Sequence, residues 1–273
     1  MIQCVVHMDI QNIALGVVQG LTEFAPVSSS GHLIIMEALF GNGGENIHLF
    51  VETLDFGTVL ALIIFFRHKI LEICRQVFIE HNYVLLRNIV LTCIPVGVVG
   101  LLFSHAINNT PFFISPVTVA AALLIVGVVM VILEKIPKLS ARSSGEKLSW
   151  KRALGIGFVQ VLALIPGVSR SGSTIIAGRL AGLKPRQAAE YSFLVSIPVM
   201  LGLSAKLIIS DTQYLIDNWT AVLVGNVAAF LAGILAIQFL LDFLNKHSLK
   251  VFGIYRIAVA VLVVVLLATG VLS

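Results

Sequence analysis

The sequence predicts an all-α polytopic membrane protein, with six spanning helices and two re-entrant helical hairpins arranged as an inverted repeat. Three observations lead there. The 273 residues are 58% hydrophobic and only 12% charged, against about 25% charged in soluble domains, so lipid must solvate much of the surface. Six apolar stretches are long enough to cross a bilayer, and two more are apolar but interrupted at mid-length. The two interrupted stretches also match each other at a constant spacing.

A spanning helix needs about 20 mostly apolar residues. The stretches at roughly 49–66, 87–104, 115–133, 192–210, 219–241 and 252–272 qualify. Regions 10–40 and 153–182 are broken by Ala25-Pro26-Val27-Ser28-Ser29-Ser30-Gly31 and Pro166-Gly167-Val168-Ser169-Arg170-Ser171-Gly172. The arms on either side of each break are expected to be too short to cross. Non-helical backbone at membrane depth is tolerated only where protein or a water-filled cavity satisfies it, which predicts re-entrant hairpins.

The basic residues orient the spans. Arg67, Lys69, Arg75 and Arg87 fall between the first two spans, and Lys246, Lys250 and Arg256 fall between the last two. Lys135, Lys138, Arg142, Lys147, Lys151, Arg152, Arg179, Lys184 and Arg186 flank the second hairpin, while loops 105–114 and 211–218 carry no Lys or Arg. Positive charge marks the cytoplasmic side. Both termini and the first hairpin are therefore expected outside, and the second hairpin enters from the cytoplasm. Only Arg170 and Lys206 depart from the pattern. The same topology accounts for the net charge of +4 without any nucleic-acid partner. No cleaved signal peptide is expected, since the first twelve residues lack Lys and Arg. Cys4, Cys74 and Cys93 show no metal-ligand spacing.

At an ungapped offset of 141, Gly16/Gly157, Val18/Val159, Gln19/Gln160, Leu21/Leu162, Val27/Val168, Ser28/Ser169, Ser30/Ser171, Gly31/Gly172, Ile34/Ile175 and Ile35/Ile176 are identical. The chain crosses three times between the hairpins, so the second copy must be inverted. This gives one transmembrane domain, 1–273, with repeat 1 at about 10–134 and repeat 2 at about 152–272. Inverted repeats with broken helices place their site where the breaks meet.

The breaks also carry the chemistry. Gln19 and Glu23 are four apart and share one helical face. Ser28, Ser29 and Ser30 then open an apolar helix, where backbone N–H groups attract anions, with His32 in its first turn. A carboxylate at membrane depth is costly and by default functional. The second break adds Ser169, Arg170, Ser171, Gly172, Ser173 and Thr174, again opening a helix. A guanidinium, hydroxyls and helix N–H groups form a receptor for phosphate oxygens; the alternative is an Arg170 that only neutralises Glu23. Glu52 and Asp55 are expected to line the cavity or cap its outer rim. Glu190, Tyr191 and Ser192 are expected to brace the second hairpin, Lys206 to snorkel, and His7, His48, His68, His81, His105 and His247 to be solvated.

The runs Q-G-L-T-E-F-A-P-V-S-S-S-G-H and P-G-V-S-R-S-G-S-T resemble the two signature motifs of the undecaprenyl pyrophosphate phosphatases of the bacitracin-resistance type. The resemblance extends to E-Y-S-F-L-V-S-I-P (190–198) and I-Y-R (254–256). It implies hydrolysis of the terminal phosphate of undecaprenyl pyrophosphate at the outer face of the bacterial inner membrane, which recycles the carrier lipid for peptidoglycan synthesis and confers bacitracin resistance. It implicates Glu23, Ser28, Ser29, His32 and Arg170 in catalysis. Gln19, Ser30, Ser169, Ser171, Gly172, Ser173 and Thr174 are the candidate substrate-binding residues. Many relatives carry Glu at the position of Gln19, and Asp55 stands where an uncharged polar residue or His is expected.

Three versions of the chemistry stay open: attack by Ser29 or by Ser28, with His32 or Glu23 as base, or attack by His32 itself. Glu23 is expected to carry the essential charge while Gln19 positions it. No protein cage for a metal is expected; Mg2+ or Ca2+ would be held largely by the substrate pyrophosphate, with Glu23 as the one protein contact. The expected partners are a polyprenyl pyrophosphate lipid and the membrane, with a homodimer as a further option. A lipid-carrier flippase or anion transporter is the alternative function, since inverted repeats with broken helices also build transporters.

Overall fold

The computed structural model describes residues 2–39, 47–103, 106, 110, 112, 115–135 and 148–271, and among them the regular structure is helical. The first half contains α1 (Ile2–Glu23), α2 (Ser29–Leu39), α3 (Ile47–Thr53), α4 (Asp55–Phe65), α5 (Arg67–Phe78), α6 (Val84–Leu102) and α7 (Pro116–Leu133). The second half follows with α8 (Trp150–Val161), α9 (Arg170–Leu180), α10 (Pro185–Ser210), α11 (Thr212–Asp217), α12 (Trp219–Lys246) and α13 (Lys250–Ala268). Six of these segments are long and apolar enough to cross a membrane: Ile47–Phe65 (α3 and α4, with a turn at Leu54), α6, α7, α10, α12 and α13. They are the six stretches the hydropathy pattern selects. His105, Lys138, Arg142 and Lys147 lie outside the described residues, as do the side chains of Cys4 and His7.

Two of the differences from the sequence expectation bear on the site. Helix α10 begins seven residues before the predicted limit, because its first turns are polar. Pro185 occupies the first helical turn, and the Lys184 N–H donates to Gln187 Oε1 at 3.2 Å. The first arm is also longer than expected. α1 has 22 residues, about 33 Å at 1.5 Å per residue, so length alone does not keep it from crossing. The arms α2, α8 and α9 have 11, 12 and 11 residues and are too short for a hydrocarbon core of about 30 Å.

Proline sets where each hairpin breaks, because the residue before it is pushed out of the helical region. Ile165, ahead of Pro166, is extended at φ −83°, ψ 120°. A turn over Phe24–Val27 ends α1 at the corresponding place.

The two halves pack crosswise. α1 lies along α12 and α8 along α6, so each hairpin rests on a span of the other half; α7 pairs with α13, and α4 with α10 and α12. Small residues allow these approaches, as in helix packing generally within lipid. A side chain on Gly16 would collide with the Gly225 carbonyl of α12, and one on Gly157 with the Thr92 carbonyl of α6. Phe24, fully buried, meets Phe193 of α10 edge-on at 5.6 Å, and Phe193 meets Phe66 at 6.1 Å. This aromatic row fixes the first break against the spans behind it. Helix α5 has no buried residue and carries Arg67, Lys69 and Arg75.

Candidate active site

Glu23, the last residue of α1, is the meeting point of four elements. Its Oε1 accepts from Arg170 Nη2 at 2.7 Å, and its Oε2 accepts from Ser29 Oγ at 2.7 Å and from Gln19 Nε2 at 3.2 Å. The same Gln19 amide group donates to Asp55 Oδ1 at 2.8 Å. Gln19 reaches Glu23 because one helical turn separates them, and Asp55 reaches Gln19 from the first turn of α4. The Glu23 and Arg170 side chains are only 13% and 14% exposed, so the ion pair is largely shielded from solvent. Arg170 Nη2 also contacts Met200 Sδ of α10 at 3.3 Å, while Nη1 is buried without a partner among the described residues.

The two breaks share one backbone device. Ser28 and Ser169, 141 residues apart, both adopt left-handed backbone, at φ 72° and 73°. A residue with a side chain held there costs roughly 1–3 kcal/mol and persists only where its surroundings fix it. Ser28 Oγ shares a hydrogen bond with Ser30 Oγ at 2.9 Å, and Ser169 Oγ with Ser171 Oγ at 3.0 Å. Two reciprocal straps join the breaks: the Gly167 N–H donates to Ser30 Oγ at 3.2 Å, and Ser171 Oγ donates to the Ala25 carbonyl at 3.1 Å. The next residue after each left-handed serine opens a helix and turns toward Glu23. These residues are Ser29 and Arg170.

His32 lies on α2, with Nδ1 2.7 Å from the Ser28 carbonyl and Nε2 2.7 Å from the Tyr255 hydroxyl. A carbonyl only accepts, so Nδ1 carries hydrogen; in the neutral ring Nε2 then accepts from Tyr255. The two rings stack at 5.6 Å and 6°.

The remaining second-break residues are committed within the protein. Ser169 Oγ caps α9 by accepting from the Gly172 N–H at 3.1 Å. Ser173 Oγ and Thr174 Oγ1 donate to the Arg170 carbonyl at 2.9 and 2.8 Å, and Thr174 also meets Ser192 Oγ at 2.6 Å. Ser171, Gly172, Ser173 and Thr174 are buried. Their hydroxyls shape the break that presents Arg170. Ser192 braces the second hairpin as expected, through Thr174, whereas the Tyr191 hydroxyl bonds the Asn88 carbonyl of α6 at 2.9 Å and Glu190 pairs with Arg186. Asp55 belongs to the cluster, and Glu52 is exposed outside it.

The expectation for Arg256 is overturned as well. Arg256 is not a loop cation between the last two spans; it is a fully buried residue within α13. Its Nη1 donates to the Pro26 carbonyl at 3.2 Å, and Nη2 donates to the Gly167 carbonyl and to the Val168 carbonyl at 3.2 Å. The apolar stretch 252–272 already contains position 256, and α13 starts still earlier, at Lys250, so Arg256 lies inside the apolar run rather than flanking it. An intramembrane Arg is a functional signal by default, and that signal was in the sequence.

Residues 12–262 match the family described as Bacitracin resistance protein BacA. The chain belongs to that family. It is similar to the undecaprenyl-diphosphatase 1 of Clostridioides difficile (strain 630), 39% identical with 92% of this chain and 93% of that protein covered. It is also similar to the undecaprenyl-diphosphatase of Pseudomonas putida (strain W619), 40% identical over 93% and 92%, and to that of Clostridium tetani (strain Massachusetts / E88), 36% identical over 93% and 94%. Both breaks, and Tyr255 and Arg256 with them, fall within the segment matched to the BacA family.

Proposed function

We propose that this chain is an undecaprenyl-diphosphatase, removing the terminal phosphate of undecaprenyl pyrophosphate to give undecaprenyl phosphate and inorganic phosphate. One observation carries the mechanism: a hydroxyl and a guanidinium grip opposite oxygens of the same shielded carboxylate. Phosphoryl transfer asks mainly for positioning and charge neutralisation. Ser29 Oγ attacks the terminal phosphorus while Glu23 Oε2 takes its proton, and the bond to the bridging oxygen breaks to release undecaprenyl phosphate. Water then attacks the phosphoserine, the bond from Ser29 Oγ to phosphorus breaks, Ser29 Oγ takes the proton back from Glu23, and both hydrogens of the water leave on the inorganic phosphate. Arg170 offers its unpartnered Nη1 to the phosphate oxygens. Ser28 is the weaker nucleophile candidate, since its hydroxyl is buried and turned to Ser30. His32 Nε2 faces Tyr255, which suits a proton carrier better than an attacking nitrogen. A transporter would need only an anion receptor and has no use for a serine paired with a carboxylate.

A protein-built metal site does not fit these residues. Glu23 has both oxygens engaged, and among the described residues no group of three or more His, Cys, Asp or Glu converges. We therefore assign any Mg2+ or Ca2+ to the pyrophosphate itself and route no step through it. The site is proposed to open to the outer side of the bacterial inner membrane, with both termini outside and the two repeats inverted. A homodimer is proposed as the assembly to test by cross-linking in membranes.

The test is phosphate release from undecaprenyl pyrophosphate by the purified protein in detergent. Wild type should release phosphate, whereas Ser29→Ala and Glu23→Gln should fall by on the order of 10²-fold or more. An active Ser29→Ala variant would remove serine from the attacking role.

A further inference from the structure

We propose that Tyr255 and Arg256 of α13 are positioning residues for this reaction: Arg256 locks the two breaks in one register, and Tyr255 holds the His32 ring. The inference rests on the phosphatase reading above. Pro26 and Gly167 are corresponding positions of the two breaks, 141 residues apart, and one guanidinium bonds both carbonyls. Pro26 lies three residues before Ser29, and Gly167 three residues before Arg170. The fork therefore grips each break at the same distance upstream of the side chain that touches Glu23.

Break carbonyls outside any helical ladder must find donors at membrane depth. A buried guanidinium is itself expensive unless its donors are used; both terminal nitrogens of Arg256 are used on the breaks, and Nε alone is buried without a partner among the described residues. A lysine is a point charge that cannot span two separate backbones. Without the fork, the straps Gly167–Ser30 and Ser171–Ala25 alone hold the register, and the Ser29–Glu23–Arg170 contacts loosen. Misplacement by about 1 Å can cost on the order of 10²-fold in rate.

Tyr255 acts one residue away on the same helix. It is 45% exposed, so it is not needed to fill the core. Its hydroxyl bond and ring stack place His32 Nε2 opposite the Nδ1 tether to Ser28. Among the described residues, the titratable and charged groups acting on His32 are Tyr255 and Arg256.

The experiment measures kcat, KM and melting temperature in detergent for wild type, Arg256→Lys, Tyr255→Phe and, as a buried-arginine control, Arg179→Lys. Arg179 sits at the end of α9 in a pair with Glu134 at 3.9 Å, away from the breaks. Arg256→Lys should lose on the order of 10²-fold in kcat per folded molecule with KM little changed. Arg179→Lys should melt earlier yet keep its kcat. Tyr255→Phe should fold normally, lose about tenfold in kcat, and move the kcat–pH limb set by His32 by roughly half to one unit. The 15N ring resonances of His32 should titrate with the same displacement. Wild-type-like kcat in folded Arg256→Lys, or an unmoved His32 titration in Tyr255→Phe, would overturn the corresponding role. Should Arg256→Lys fail to fold, addition of guanidinium ion to Arg256→Ala replaces it, with recovery of kcat expected and no recovery counting against the proposal. Failure of wild type to release phosphate would refute the phosphatase reading instead, so the two failures are distinct.

Discussion

Ser29 and Arg170 occupy the same position in two copies of one structural element, and they donate to opposite oxygens of Glu23. The repeat thus differs at the position where the proposed chemistry needs two different groups. One copy supplies a hydroxyl and the other a fixed cation, while the left-handed serine before each is kept.

Arg170→Lys should lose about 10²–10³-fold in kcat/KM, nearly as much as Arg170→Ala. The fork holds Glu23 through Nη2 and leaves Nη1 for the substrate, and an ammonium cannot divide itself in this way. Phosphate release at saturating and limiting lipid measures it. A lysine variant close to wild type would refute the clamp.

Gln19→Glu should reduce activity, and adding Asp55→Asn should restore much of it. The Gln19 amide donates to both Glu23 and Asp55, so a carboxylate at position 19 would face two others without a donor between them. A double-mutant cycle isolates the coupling, expected at about 0.5–3 kcal/mol. Additive effects would mean that Asp55 and Gln19 act independently.

Gly157→Ala and Gly155→Ala should shift the melting temperature in opposite directions. A Cβ at Gly157 would lie 2.6 Å from the Thr92 carbonyl oxygen and 3.0 Å from Pro95 Cγ, whereas one at Gly155 meets nothing within 4 Å. The first should destabilise by about 1–3 kcal/mol. The second should stabilise by roughly 0.5–1 kcal/mol through helix propensity. Thermal unfolding in detergent decides the signs.

Gln213→Cys, on α11, should react with a membrane-impermeant thiol reagent in intact cells, and the native Cys74 on α5 should not. Both positions are exposed, so only sidedness separates them. The reverse pattern would move the first hairpin to the cytoplasmic face.

The spans and breaks were legible because lipid imposes long apolar runs and proline interrupts them, and both are local features of the chain. Glu23, Ser29 and Arg170 were legible because polar groups in such surroundings are rare. Arg256 was misread because a loop charge and a buried clamp look alike when they stand near a helix start. Tyr255 and the bridging role of Asp55 depend on pairings between distant helices, 223 residues apart for His32 and Tyr255. No local pattern encodes such a distance. The internal alignment pointed correctly to where the breaks match, but it could not say which hydroxyls are used within the protein.

The crosswise packing has a consequence for biosynthesis. α1 leaves the ribosome well before the helix it lies against, α12, which begins at Trp219, roughly 200 residues later. At about 5–20 residues per second, the first hairpin waits on the order of 10–40 s for its neighbour. During that interval its carboxylate and its broken backbone need a temporary host, whether the insertion machinery or the aqueous edge of the membrane. α13, which follows α12, brings the guanidinium that joins both breaks, so the proposed catalytic centre is held together only once both halves have been made.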